Sequence, residues 1–224
     1  LREHLDLYNL EPALGVVNAF WIDFSEYPGT NRDPYLEITY TIPAEPTIDP
    51  VIIIPGFMGS QFSLTKAEWV VDPILHVYDN LISDFEQNGY TKDINLFTFP
   101  YQWRQDNRIT ADQLKDKIAA VKAECDCDKV DLVTHSMGGL VARSYVESAN
   151  YAGDVDQLVF LGTPHRGAAV DYLPWEGATL PAGIANNVIL KLFKTEAKLN
   201  GYNKLYDYIT NNIFSVKQLL PDYS

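Results

Sequence analysis

One stretch constrains this chain more than any other: Lys129 to Ala149, KVDLVTHSMGGLVARSYVESA. The apolar run Val130 to Thr134 predicts a buried strand, and Leu140 to Val146 predicts a buried helix. Between them His135-Ser136-Met137-Gly138-Gly139 must turn sharply. A serine on a strand-to-helix turn with glycines behind it is the pattern of a nucleophile elbow. Gly138 and Gly139 remove the side chains that would keep strand and helix apart. Thr134 stands where the first glycine of G-x-S-x-G belongs, which adds bulk beneath the turn and puts its tightness in question.

The flanking punctuation extends this into a fold class. Val51 to Ile54 is a continuous apolar strand of the kind buried on both faces, followed by Pro55-Gly56-Phe57-Met58-Gly59-Ser60. Tyr78, Leu81, Ile82 and Phe85 mark one helical face, closed by Gly89. Ile94 to Phe99 forms a second strand and runs into Pro100-Tyr101-Gln102-Trp103-Arg104. Thr110-Ala111-Asp112-Gln113 has the form of a capping box, with Leu114, Ile118 and Val121 continuing at helical spacing. Gln157 to Leu161 is a fourth strand, ending in Gly162-Thr163-Pro164-His165-Arg166-Gly167. Strand and helix alternate, the signature of a mostly parallel α/β sheet with helices on both faces. In such sheets chemistry gathers beyond the carboxyl ends of the strands, the edge from which the Pro55, Tyr101, Ser136 and Thr163 loops all leave.

The ends are less regular. In residues 1–47, Val16 to Phe24 and Tyr35 to Ile42 have the pattern of strands, either an opening hairpin of the main sheet or the tail of a preceding β domain. The main domain is expected over 48–224. After Gly167, Ala185, Val188, Ile189, Leu192 and Phe193 form one helical stripe, and Leu205, Tyr208 and Ile209 begin another. A helical cap over roughly 168–218 and an ordinary packed core both fit that pattern.

Composition narrows the partners. The 224 residues carry 46% apolar and 21% charged side chains, a globular balance, with a net charge of −13. That charge argues against nucleic acid and anionic membrane surfaces. No apolar run reaches the ~18–20 residues of a transmembrane helix. Cys125 and Cys127, one residue apart, fit free loop thiols better than a strained bridge. No Cys/His spacing suits a metal, and no motif calls for an organic cofactor.

A serine hydroxyl needs a neighbouring base and donors for the developing oxyanion. Ser136 is the candidate nucleophile. The candidate donors are the amide of Met137, which follows it, and that of Phe57 on the loop after an earlier strand, with Met58 as substitute. The base is harder to find. His135 adjoins the serine, so the turn aims its ring away, and His4 and His76 lie upstream. His165 comes too early for the order Ser…Asp/Glu…His, and no histidine follows it.

VIIIPGFMGS, FPYQWR, VDLVTHSMGGLVAR and FLGTPHRG, in this order, resemble the lecithin–cholesterol acyltransferase group of α/β-hydrolases, which includes phospholipases and lipid acyltransferases. The similarity spans Val51 to Gly167, and more faintly the VKQLLPDY end. It implies a serine hydrolase or acyltransferase working on lipid or other acyl esters, with Ser136 as nucleophile and Phe57 and Met137 as oxyanion donors. Trp103 falls in an Asp-Trp-Arg-type segment where Gln102 replaces the acid. The family's acid and histidine follow the cap, so the resemblance places them beyond Ser224 and leaves the sheet incomplete at its C-terminal end. On that reading the 224 residues alone are nearly inert, and a binding protein that keeps the fold is the competing expectation. Location is open, and analogy with exported relatives favours the extracellular space or the cell envelope. Oligomeric state is open.

Overall fold

The computed structural model describes residues 49–73, 76–180, 182 and 184–221. The expectations for 1–47 fall outside them.

Four strands form a parallel sheet in the order β4-β1-β5-β6: β1 (Val51–Ile54), β4 (Leu96–Thr98), β5 (Val130–His135) and β6 (Val155–Leu161). A separate antiparallel hairpin, β2 (Ser60–Ser63) and β3 (Glu68–Val71), leaves the loop after β1. Helices α1 (Asp79–Gln87), α2 (Asn107–Cys125) and α3 (Met137–Val146) connect the strands.

Side-chain parity assigns the helices to opposite faces, because successive strand residues point to opposite sides. Ile52, Ile54, Val130 and Leu132 pack into the main core with Leu114, Ile118 and Val121 of α2 and Val141 and Tyr145 of α3. Val51, Ile53, Leu96 and Val133 face the other way, against Tyr78 and the half-buried Leu81, Ile82 and Phe85 of α1. This is the expected α/β architecture with both sheet faces covered. At the outer strand β6, Val159, Phe160 and Leu161 remain 43%, 38% and 37% exposed.

Helix ends follow local chemistry. After α1, Gly89 takes φ 92°, and the Gly89 and Tyr90 amides donate back to Glu86 and Phe85 carbonyls, a Schellman closure. Helix α2 starts at Asn107, ahead of the Thr110 capping box, because the Asp106 carboxylate accepts from the Arg108 amide at 2.8 Å and caps the helix there. The expectation of free thiols is overturned: Cys125 and Cys127 form a disulfide. Asp126 between them is left-handed at φ 52°, which folds Cys127 back so that its amide donates to the Lys122 carbonyl.

Beyond β6 the chain is helical: α4 (Tyr172–Gly177), α5 (Ile184–Leu199), α6 (Leu205–Asn212) and α7 (Phe214–Gln218). Phe193, Ala197, Tyr208, Ile209, Ile213, Val216 and Leu219 join the main core, whereas Val188 and Leu192 stay 54% and 55% exposed. The first stripe therefore divides between core and surface, and the second is core.

Candidate active site

The elbow forms as its sequence requires. Ser136 sits between β5 and α3 at φ 50°, ψ −122°, a conformation that costs an L-residue about 1–3 kcal/mol unless its surroundings impose it. They do impose it. The Ser136 amide donates to the Leu161 carbonyl at the end of β6, and the Gly139 amide donates back to the Ser136 carbonyl. A Cβ on Gly138 would stand 2.5 Å from the Ile54 carbonyl oxygen, and one on Gly139 would overlap the Thr163 side chain. Both positions are therefore closed to side chains, and both crossings are as close as the sequence implies.

Thr134 does not loosen the turn. Its side chain is buried, and its hydroxyl donates to the Val159 carbonyl of β6 at 2.9 Å. The added bulk is absorbed between two strands with its polar atom satisfied.

The loop after β1 lies directly against the serine. A Cβ on Gly56 would be 2.9 Å from Ser136 Cβ. The Gly59 amide donates to the Gly56 carbonyl, closing a turn in which Met58 takes φ 60°. Tyr101, buried, donates its hydroxyl to the Pro55 carbonyl at 2.8 Å and its amide to Ser60 Oγ at 3.2 Å. Phe57 follows Gly56, and its ring meets Trp103 edge-on with centroids 4.7 Å apart. Met137 is buried and opens α3, where amides have no intrahelical acceptor. Ser136, the Gly56–Phe57 peptide and the start of α3 are thus neighbours.

Trp103 and Arg104 link this region to α5. The Arg104 guanidinium lies 3.9 Å over the Trp103 ring and pairs with Glu196 at 2.9 Å, while Trp103 also contacts Phe193. A cleft of about 430 Å³ opens there, lined by Met58, Phe62, Trp69, Trp103, Leu192 and Leu199 among others. A second cleft, about 680 Å³, lies elsewhere, under the hairpin between Lys66, Glu68, Lys92 and Lys117. Its walls carry charges of both signs and none of the elbow residues, so it has no part in the serine's chemistry.

The described histidines are occupied elsewhere. His76 pairs with Asp79 at the surface, and His165 packs edge-on against Phe160. His135 ends β5, and its Nδ1 lies 2.9 Å from Tyr78 Oη. Burial lowers the pKa of the His135 imidazole, favouring the neutral ring. Tyr78 went unnoticed in the sequence as more than a helix-face residue, because a contact across 57 positions leaves no local trace. An acidic group, Asp49, Asp131 and Asp156, lies at the amino ends of β1, β5 and β6, remote from the elbow.

Among known proteins, the lecithin:cholesterol acyltransferase family model matches residues 50–176. A phospholipase A(1) of Arabidopsis thaliana is 31% identical over 140 residues, covering 58% of this chain and 31% of that protein. A triacylglycerol lipase of Pseudarthrobacter phenanthrenivorans is 30% identical over 142 residues, covering 62% of this chain and 41% of the lipase. The chain thus spans well under half the length of either relative. A lipase of Bacillus licheniformis in its mature form superposes with a TM-score of 0.48 at 19% identity, over 78% of this chain and 58% of that one. With the family model covering more than half of its length, the chain belongs to the lecithin:cholesterol acyltransferase family.

Proposed function

We propose that this chain carries the nucleophile and oxyanion-binding half of a serine-dependent lipid-ester hydrolase or acyltransferase. The observation that carries the reading is Ser136 at positive φ on a strand–helix turn, with the Gly56 backbone packed against it. Ser136 Oγ attacks the ester carbonyl carbon as its proton passes to a base, and the carbonyl oxygen becomes an oxyanion between the Phe57 and Met137 amides. Collapse expels the alcohol, which takes the proton back, and leaves an acyl-serine. Water or a second alcohol then receives the acyl group. The family supports ester hydrolysis or acyl transfer, and the lipase and phospholipase relatives support lipid esters as substrates. The segment from α4 to α7 acts as a cap, its exposed Val188 and Leu192 suiting an apolar substrate.

The base belongs outside the described residues. Among these, no histidine is hydrogen-bonded to Ser136, and His76, His135 and His165 have the other neighbours given above. The same observation supports a second reading, a binding protein that keeps the fold without turnover.

One pair of measurements separates the two. In the full-length protein, Ser136→Ala is expected to abolish release of p-nitrophenol from acyl esters, and unchanged turnover would remove Ser136 from the mechanism. A fluorophosphonate is expected to label Ser136 in the full-length protein, and absence of labelling would favour the binding protein.

A further inference from the structure

We propose that Tyr78 is a positioning residue of this site, its hydroxyl tying the loop after β1 to the residue that precedes Ser136. The proposal rests on the reading of Ser136 as nucleophile, and its geometry is independent of that reading.

The Gly56 amide donates to Tyr78 Oη at 2.7 Å, and the same oxygen lies 2.9 Å from His135 Nδ1. A phenol has one proton to give. With an Oη lone pair taken by Gly56 N–H, giving the phenol proton to Nδ1 supplies this buried hydroxyl with an acceptor, and in the proposal His135 is accordingly the Nε2–H tautomer. Burial raises the Tyr78 pKa, with the nearby Asp72 adding to the effect against the Gly56 hydrogen bond, so the hydroxyl keeps that proton at neutral pH.

Position makes the link consequential. Gly56 is covalently next to Phe57, and His135 is two residues from Met137. One hydrogen-bonded chain, Gly56 N–H to Tyr78 O–H to His135 Nδ1, therefore joins the two backbone segments that present the proposed donors. Tyr78 is itself held firmly: it is 4% exposed and immediately precedes α1, whose apolar face packs on the sheet. The space around it is filled as well. A Cβ on Gly59 would be 2.9 Å from Tyr78 Oη, and one on Gly56 would be 3.2 Å from His135 Nδ1. Donors that must meet a developing oxyanion need placement within about 0.5 Å, and two loops from different strands have no other direct polar tie of this kind among the described residues.

Tyr78→Phe keeps the ring and removes the oxygen. In the full-length protein, kcat on p-nitrophenyl acyl esters is expected to fall about 10–100-fold with KM within about 2-fold, the pattern of misplaced transition-state donors. His135→Leu is expected to show the same loss, and the double variant no further loss, because the two act as a unit. The second readout needs no turnover and is taken in a Ser136→Ala background. Nitrogen-15 NMR should show His135 with Nδ1 as acceptor and Nε2 protonated, and Tyr78→Phe should abolish that bias and shift the Gly56 amide proton upfield. Unchanged kcat, or an unmoved His135 tautomer and Gly56 amide in a folded Tyr78→Phe protein, would overturn the proposal. If Ser136→Ala alone leaves turnover intact, the nucleophile reading fails instead, and the NMR result still stands for Tyr78.

Discussion

A methyl group on Gly56 would stand 2.9 Å from the Cβ of Ser136, closer than two carbons approach without displacement. Glycine there is a condition for the loop and the elbow to touch. Gly56→Ala is expected to push the loop off the serine and lower kcat by about 10²-fold, in line with the value of one oxyanion donor. Steady-state kinetics with a circular-dichroism melt will separate this from unfolding. Wild-type kcat in the variant would mean the loop has no role at the serine.

Thr134 yields a prediction of opposite character. Replacing it by glycine restores the common elbow pattern, yet it removes the hydrogen bond to the Val159 carbonyl and puts a glycine into a buried strand. Thr134→Gly is expected to lose about 1–2 kcal/mol with no gain in rate, as measured by urea denaturation and ester hydrolysis.

Helix α5 is fastened through Arg104 and Glu196, whose side chains are 22% and 33% exposed. Glu196→Gln is expected to cost about 1 kcal/mol and to loosen α5 over Trp103. Because the pair is partly open to solvent, raising salt to about 1 M should narrow the gap between variant and wild type. Equal stability at low salt would show that Trp103 and Phe193 hold α5 without the ion pair.

Two carboxyl groups impose opposite pH dependences. Burial raises the Asp171 pKa from 3.8 to about 6. The folded state therefore binds more protons than the unfolded one in that window, and stability falls as pH rises through it. The full shift corresponds to about 3 kcal/mol, which screening at a half-exposed group reduces to about 1 kcal/mol. Asp171→Asn should remove this slope and stabilise the protein near pH 7, as read from melting temperatures across pH 4–8. Asp106 is held below the usual carboxylate range, first by its side-chain hydrogen bond with Arg108 and further by Gln218. Its contribution is present above the unfolded pKa and lost as pH falls through the folded one.

Which parts of this molecule were legible in its sequence depended on how local their causes are. Val51–Ile54 is the strand its unbroken apolar run implies, and the elbow follows from a strand, a serine and two glycines within a few residues. The hairpin β2–β3 was missed because Ser60–Ser63 and Glu68–Val71 are short, and the connection between them contains no glycine; Ala67 takes φ 54° in its place. Helix α2 starts ahead of the Thr110 box because Asp106 outcompetes that box for the first turn. The spacing of Cys125 and Cys127 predicts free thiols, whereas the left-handed Asp126 decides their approach. The tie of Tyr78 to Gly56 and His135 is a product of the tertiary fold. Parity in β5 assigns His135 to the α1 face of the sheet, and nothing local in the sequence says what it meets there.

That parity also restricts how the gene can change. Asp131, Val133 and His135 share the α1 face of the sheet, and Val130, Leu132 and Thr134 share the other. Removing one codon inside β5 would exchange the two sets, turning the imidazole into the α2–α3 core and the core leucine toward α1. The spacing between Val130 and Ser136 is therefore a reading frame of its own, in which substitutions can be absorbed one at a time and single-residue deletions cannot.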